Sequence, residues 1–313
     1  MQVPDMNMAT VMDEEDLLAP VPRVRAPRPR LRLNQVRSLL GTLPFFAYVT
    51  VFLVIPTLVV AIGAFAGDGG FTWSNVAALG NSYVLDAFAR SILLSAVTAA
   101  IGAVLGAVLA YALTTAKPGG PLRRVVTAAS GVLAQFGGVT LAFAFIATIG
   151  LSGFVTVFLR DELGVDLYSG GVWLFELPGL VLVYTYFQIP LMVIVFLPAL
   201  DGIRPQWREA TESLGGSTWQ YWTRVAGPLL APAFLGSTLL LLANAFSAYA
   251  TAAALISQGN PIVPLQIRGA LTSEVVLGQQ NLGKAMALGM VVVVAVVMTL
   301  YALLQKRTAR WLG

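Results

Sequence analysis

The strongest constraint on this chain is where its charges are missing. The stretches 43–66, 91–115, 125–159, 177–200, 225–267 and 285–305 contain no Asp, Glu, Lys or Arg. An α-helix rises about 1.5 Å per residue, so twenty-odd residues cover roughly 30 Å, the thickness of a bilayer's hydrocarbon core. A charge at the centre of such a helix costs about 2.5–3.5 kcal/mol on insertion scales, which explains clean runs of this length. Helices packed in water need a polar outer face and would carry charges every turn or two. Composition agrees: 11% of the residues are charged, against about 25% in soluble domains. The expected fold is therefore all-α, a polytopic membrane protein with about six transmembrane helices.

Two of the runs are too long for one helix, and each carries its own breaks, Gly150 and Gly153 in one, Gly259, Pro261 and Pro264 in the other. Spans are expected at 43–66, 91–115, 125–150, 177–200, 228–257 and 285–305. Segments 151–160 and 259–267 are left as interfacial or loop elements on the outer side. The first span is loosened around Pro56, and Ala64-Phe65-Ala66 resembles a signal-peptidase site. That apolar stretch is too long and starts too late for a cleaved leader, so it reads as a retained span.

With six spans, the loops on the side of the N-terminus hold all but four of the nineteen Lys and Arg residues; Arg90, Arg160, Arg268 and Lys284 face the other way. The positive-inside rule then makes both termini cytoplasmic. The basic character is topological, and nucleic acid is not an expected partner. Residues 1–42 combine an acidic cluster around Asp13–Asp16 with a Pro/Arg run. Such a composition cannot bury enough apolar area to offset chain entropy, so a largely disordered basic tail is expected, in reach of anionic lipid. Residues 306–313 form a second cytoplasmic tail, and 43–305 the membrane domain.

The chain has no Cys and no His, so thiolate and imidazole chemistry are unavailable, and no catalytic residue, metal site or resident cofactor is expected. Gly278, Gly283 and Lys284 fit the spacing of a phosphate-binding loop, but Ala285 stands where Ser or Thr must ligate magnesium. ATP hydrolysis is not expected in this chain. The charge-free spans also lack the ionisable residue at depth that proton- or cation-coupled carriers need. A self-powered carrier is therefore the weaker reading.

The loop 201–227 carries the most information. Pro205 suits a first helical turn and Gly215-Gly216 a stop, giving a helix of about ten residues. Trp207, Ala210, Thr211 and Leu214 share one face, and a second short amphipathic piece, 218–224, leads into Pro228. By itself this reads as an interfacial helix under its own membrane domain. The order of residues adds more: Glu209-Ala210, Gly215 six residues after the Glu, Val225 ten residues later, then Pro228. This resembles the EAA loop, E-A-A-x3-G-x9-I-x-L-P, of permease subunits in binding-protein-dependent ABC importers. Thr211 replaces the second Ala and Gly227 the Leu.

The resemblance runs from about Leu177 to Leu304 and is nearest the branch that carries polyamines, thiamine, sulfate, phosphonates or ferric ion. It implies a type I importer fold in a bacterial plasma membrane, with 204–228 as the coupling loop and its short helix docking on a cytoplasmic ABC ATPase that holds ATP and magnesium. Trp207, Glu209, Ala210, Leu214, Gly215 and Pro228 are the implied coupling residues. It further implies a second, homologous permease as partner, an extracytoplasmic substrate-binding protein, and a small polar, polyamine-like or similar solute.

Polar and aromatic groups inside the spans are the candidates for its pathway: Gln135, Tyr184, Gln188, Asn244, Ser247 and Tyr249. Amides at depth serve equally well as hydrogen bonds between helices. A passive channel or a membrane scaffold without ATPase coupling is the alternative function.

Overall fold

A computed structural model describes residues 42–67, 69–117, 119–256, 262–272 and 280–309. The N-terminal tail and Gly278 of the phosphate-loop spacing lie outside them. The chain divides into two units, Met1–Pro56 and Thr57–Gly313. In the first, the described residues are helical and apolar, with a π-helical turn at Thr50–Val54.

Among the described residues, six stretches are long and apolar enough to cross a membrane: Thr42–Ala64 (α1), Ser82–Thr115 (α3), Val139–Leu163, Leu177–Asp201 (α7), Thr218–Ser247 (α9) and Gln280–Leu303. The last belongs to a helix reaching Ala309 (α12). Beyond α1 the chain forms a two-residue antiparallel hairpin, Ala66–Gly67 (β1) with Gly70–Phe71 (β2), and a short helix Ser74–Ala77 (α2). The fold is otherwise helical, as expected from the charge pattern.

The core is α3 laid along α7. Small residues on α3 make this approach possible: a Cβ on Gly102 would come within 2.5 Å of Gln188 Cβ, and one on Gly106 within 2.5 Å of Met192 Cβ. Lipid offers no hydrophobic drive between helices, so close packing of this kind is a main source of their association. Ala99, Ala103 and Ala110 continue the stripe and are buried against α7 with Val193, Phe196 and Leu197.

Several boundaries differ from the sequence expectation. α3 begins nine residues before 91 and takes in Asp86 and Arg90. Its 34 residues reach about 51 Å, longer than the hydrocarbon core, so these charges ride on helix that projects beyond it. The third span, expected over 125–150, is broken: Pro121–Gln135 (α4), Val139–Ile149 (α5) and Phe154–Leu163 (α6) are separate helices. The fifth starts at Thr218, because the piece expected as cytoplasmic runs into the span through a π-helical turn, Trp222–Ala226, and it ends at Ser247 rather than 257. A separate helix Ala250–Leu255 (α10) follows.

Of the segment 259–267, expected as an interfacial or loop element, the described part is mostly helix: Val263–Thr272 (α11), whose first N–H donates to Ser91 Oγ on α3 at 2.9 Å. Gly283 and Lys284 lie inside α12, not in a phosphate-binding loop.

Candidate functional site

Two helix breaks create a polar cavity. α4 stops at Gln135, and α5 restarts after Gly138, whose φ of 79° and ψ of −150° lie in a region essentially reserved for glycine. α9 stops at Ser247, and α10 begins after Tyr249. The Gly138 N–H donates to Thr251 Oγ1 at 2.8 Å and so ties one break to the other. Between them lies a cavity of about 270 Å³ lined by Gln135, Gly138, Asn244, Ser247, Tyr249 and Thr251, among others. Four of the six polar residues expected on the pathway are thereby brought together. No charged side chain lines it, so it offers amide, hydroxyl and helix-end backbone groups.

Tyr184 and Gln188 do not line this cavity. Both are fully buried. The Tyr184 hydroxyl donates to the Ala248 carbonyl at 2.6 Å, and Gln188 Nε2 to the Leu241 carbonyl at 2.9 Å. These bonds fasten α7 to the end of α9 and hold the break open from behind. Gln188 points this way because glycine at 102 lets α3 close over it.

The second site is the helix Pro205–Ser213 (α8) between α7 and α9. Its stop has two hydrogen bonds of the kind that close a helix on a left-handed glycine: Gly215 N–H to Glu212 carbonyl, 2.9 Å, and Gly216 N–H to Thr211 carbonyl, 2.8 Å. Gly215 has φ 77° with open space around it. Arg208 and Glu212 form an i,i+4 ion pair at 3.0 Å. The hydrogen bond to Glu212, then its charge, holds the Arg208 guanidinium above its ordinary value.

The apolar face expected for α8 divides. Trp207 and Thr211 are half-buried, whereas Ala210, Glu209 and Leu214 are exposed, Leu214 by 89%. Leu214 is the apolar side chain that the helix presents. Pro228, also expected to take part, is exposed within α9.

Trp219, which the residue pattern did not single out, is 77% exposed close to Leu214 in sequence. The signal for it was available: Ser217-x-x-Gln220 is a capping box, and both of its reciprocal bonds form. Arg123 on α4 makes an ion pair with Asp201, the last residue of α7, which joins the helix that ends at the cavity to the start of the loop 201–227.

Residues 102–311, more than half of the chain, match the model of a family described as binding-protein-dependent transport system inner membrane component. The chain belongs to that family. It is a permease component of an ABC importer and a multi-pass membrane protein, a transport subunit rather than an enzyme. The ferric transport system permease protein FbpB of Actinobacillus pleuropneumoniae is 25% identical over 197 residues, 61% of this chain and 27% of that protein. The sulfate transport system permease protein CysT of Escherichia coli K12 is 30% identical over 103 residues, 33% of each chain.

The permease spans only 24–33% of the length of such relatives. A bacterial alginate ABC transporter, solved with a periplasmic protein bound to an alginate pentasaccharide, contains a chain that superposes with a TM-score of 0.70. That match has 18% identity and covers 88% of this chain and 95% of the other. An inward-facing methionine ABC transporter gives 0.52 at 17% identity, over 72% and 95%. These likenesses show the type I importer permease fold.

Proposed function

We propose that this permease forms half of a translocation pathway for a small polar solute and receives its power stroke from a cytoplasmic ABC ATPase through α8. The observation that carries the coupling is the exposure of Leu214 at the end of a nine-residue helix. A helix this short is marginal in water, and Leu214 and Trp219, 89% and 77% exposed in the same loop, together give a partner apolar surface to pack on. A scaffold or passive channel has no need of such a projection. ATP and magnesium belong to the ATPase partner. A second permease completes the pathway, an extracytoplasmic binding protein delivers the solute, and both termini are cytoplasmic in the bacterial plasma membrane.

The test is co-purification of the ATPase with tagged permease. Leu214→Asp, Gly215→Asp and Glu209→Lys each leave membrane insertion intact, since all three positions are exposed, and each loses the bound ATPase. Undiminished co-purification in all three sinks the coupling role.

A further inference from the structure

Two cavities share one side chain. Tyr249 lines the polar cavity of Gln135, Asn244 and Ser247, and also a second pocket of about 430 Å³ walled by Ile267, Arg268, Thr272 and Met290. The second pocket is formed by α11 and α12, beyond the far end of α9, so it belongs to the membrane side opposite α8. Arg268 is exposed at its wall and is the one charged residue lining either cavity among the described residues; no carboxylate lines them.

We propose that Tyr249 is the partition between an outer vestibule and the inner cavity, and that Arg268 makes the vestibule an entry for anionic solutes. This rests on the pathway reading above and narrows it. A guanidinium presents a fork of donors matched to carboxylate, sulfate or phosphate oxygens. A mostly apolar wall lowers the local dielectric and focuses the field of one charge. A polyamine would meet a like charge there, and no carboxylate among the described residues lines either cavity to offset it. The neutral inner cavity then holds an anion by hydrogen bonds alone, weakly enough for it to leave, as conduction requires.

The chain has no cysteine, so Ser247→Cys places a single thiol of this chain in the inner cavity. In cells carrying the intact transporter, its modification from outside is timed with sulfonatoethyl and trimethylammonioethyl methanethiosulfonate, each normalised to its rate with a free thiol. The anionic reagent is expected to react about threefold to tenfold faster, at the low end of electrostatic focusing. Arg268→Gln removes that preference, and Arg268→Lys keeps most of it. Tyr249→Ala raises both rates and leaves their ratio alone.

A ratio unmoved by Arg268→Gln overturns the proposal while the pathway stands, and is also the result expected if Arg268 serves only a lipid phosphate. Rates unmoved by Tyr249→Ala remove the partition. Absence of modification by either reagent, with Tyr249 or with Ala in its place, overturns the pathway reading and this inference together.

Discussion

Gly138 and Gly215 share a positive φ, 79° and 77°, and have opposite surroundings. Gly138 sits between two half-helices, with its N–H held by Thr251 and the Ala250 side chain 3.6 Å from where its own Cβ would stand. Gly215 ends an exposed helix and meets nothing within 4 Å. A glycine at positive φ thus stands at the cavity inside the membrane domain and another at the end of a helix that projects outward from it. Strain at the first site is borne by packing between distant segments. At the second it stays within one turn.

If that contrast is right, Gly138→Ala has the larger effect on the whole molecule. Its φ and ψ are reached only by glycine at ordinary cost, so about 1–3 kcal/mol is lost. The Ala250 contact distance is ordinary, which leaves the backbone as the cause. The thermal unfolding midpoint of the purified permease in detergent should fall, and an unchanged midpoint would remove the distinction. Tyr184→Phe comes next. It strips the hydroxyl from the Ala248 carbonyl and leaves an acceptor short of a partner behind the cavity, at about 1–3 kcal/mol. The same midpoint reports it.

Gly215→Ala reverses the pattern. A left-handed alanine costs about 1–2 kcal/mol, but the cost falls on an exposed turn, so the midpoint stays near that of the unaltered protein. ATPase co-purification drops instead. Gly215→Asn, which tolerates this conformation better, restores most of it. A lowered midpoint with intact co-purification would show that α8 is part of the core rather than a projection from it.

The two glycines also differ in how far the sequence announces them. α8 was legible from one end to the other, because Pro205 and Gly215-Gly216 act through their own neighbours. The break at Gly138 was not. It lies within a continuous apolar run, and hydropathy cannot tell a span from two half-helices when lipid tolerates both. What opens it is Thr251, more than a hundred residues away in the chain. The cavity was half legible for the same reason: Gln135, Asn244, Ser247 and Tyr249 flank breaks, whereas Tyr184 and Gln188 lie in an unbroken helix and turn inward. Asp86 and Arg90 hid the start of α3, since charge marks where the hydrocarbon ends and not where a helix does. For Trp207, periodicity gives a face of α8 but not which neighbour that face meets.

The smallest expected effect refines the outward side of the comparison. Ser217 accepts from the Gln220 N–H, Gln220 Oε1 accepts from the Ser217 N–H, and together they start the helical turn that carries Trp219. Ser217→Ala removes one of the two bonds, worth about 0.5–2 kcal/mol at an N-cap. If Trp219 lies beside Leu214 on the surface that meets the ATPase, that local loosening weakens ATPase retention by several-fold and leaves the unfolding midpoint in place. Ser217→Asp, an equally good cap, should restore retention. Were Asp to weaken retention as much as Ala, the hydroxyl would matter to the partner itself, and the turn would be a contact rather than a support for one.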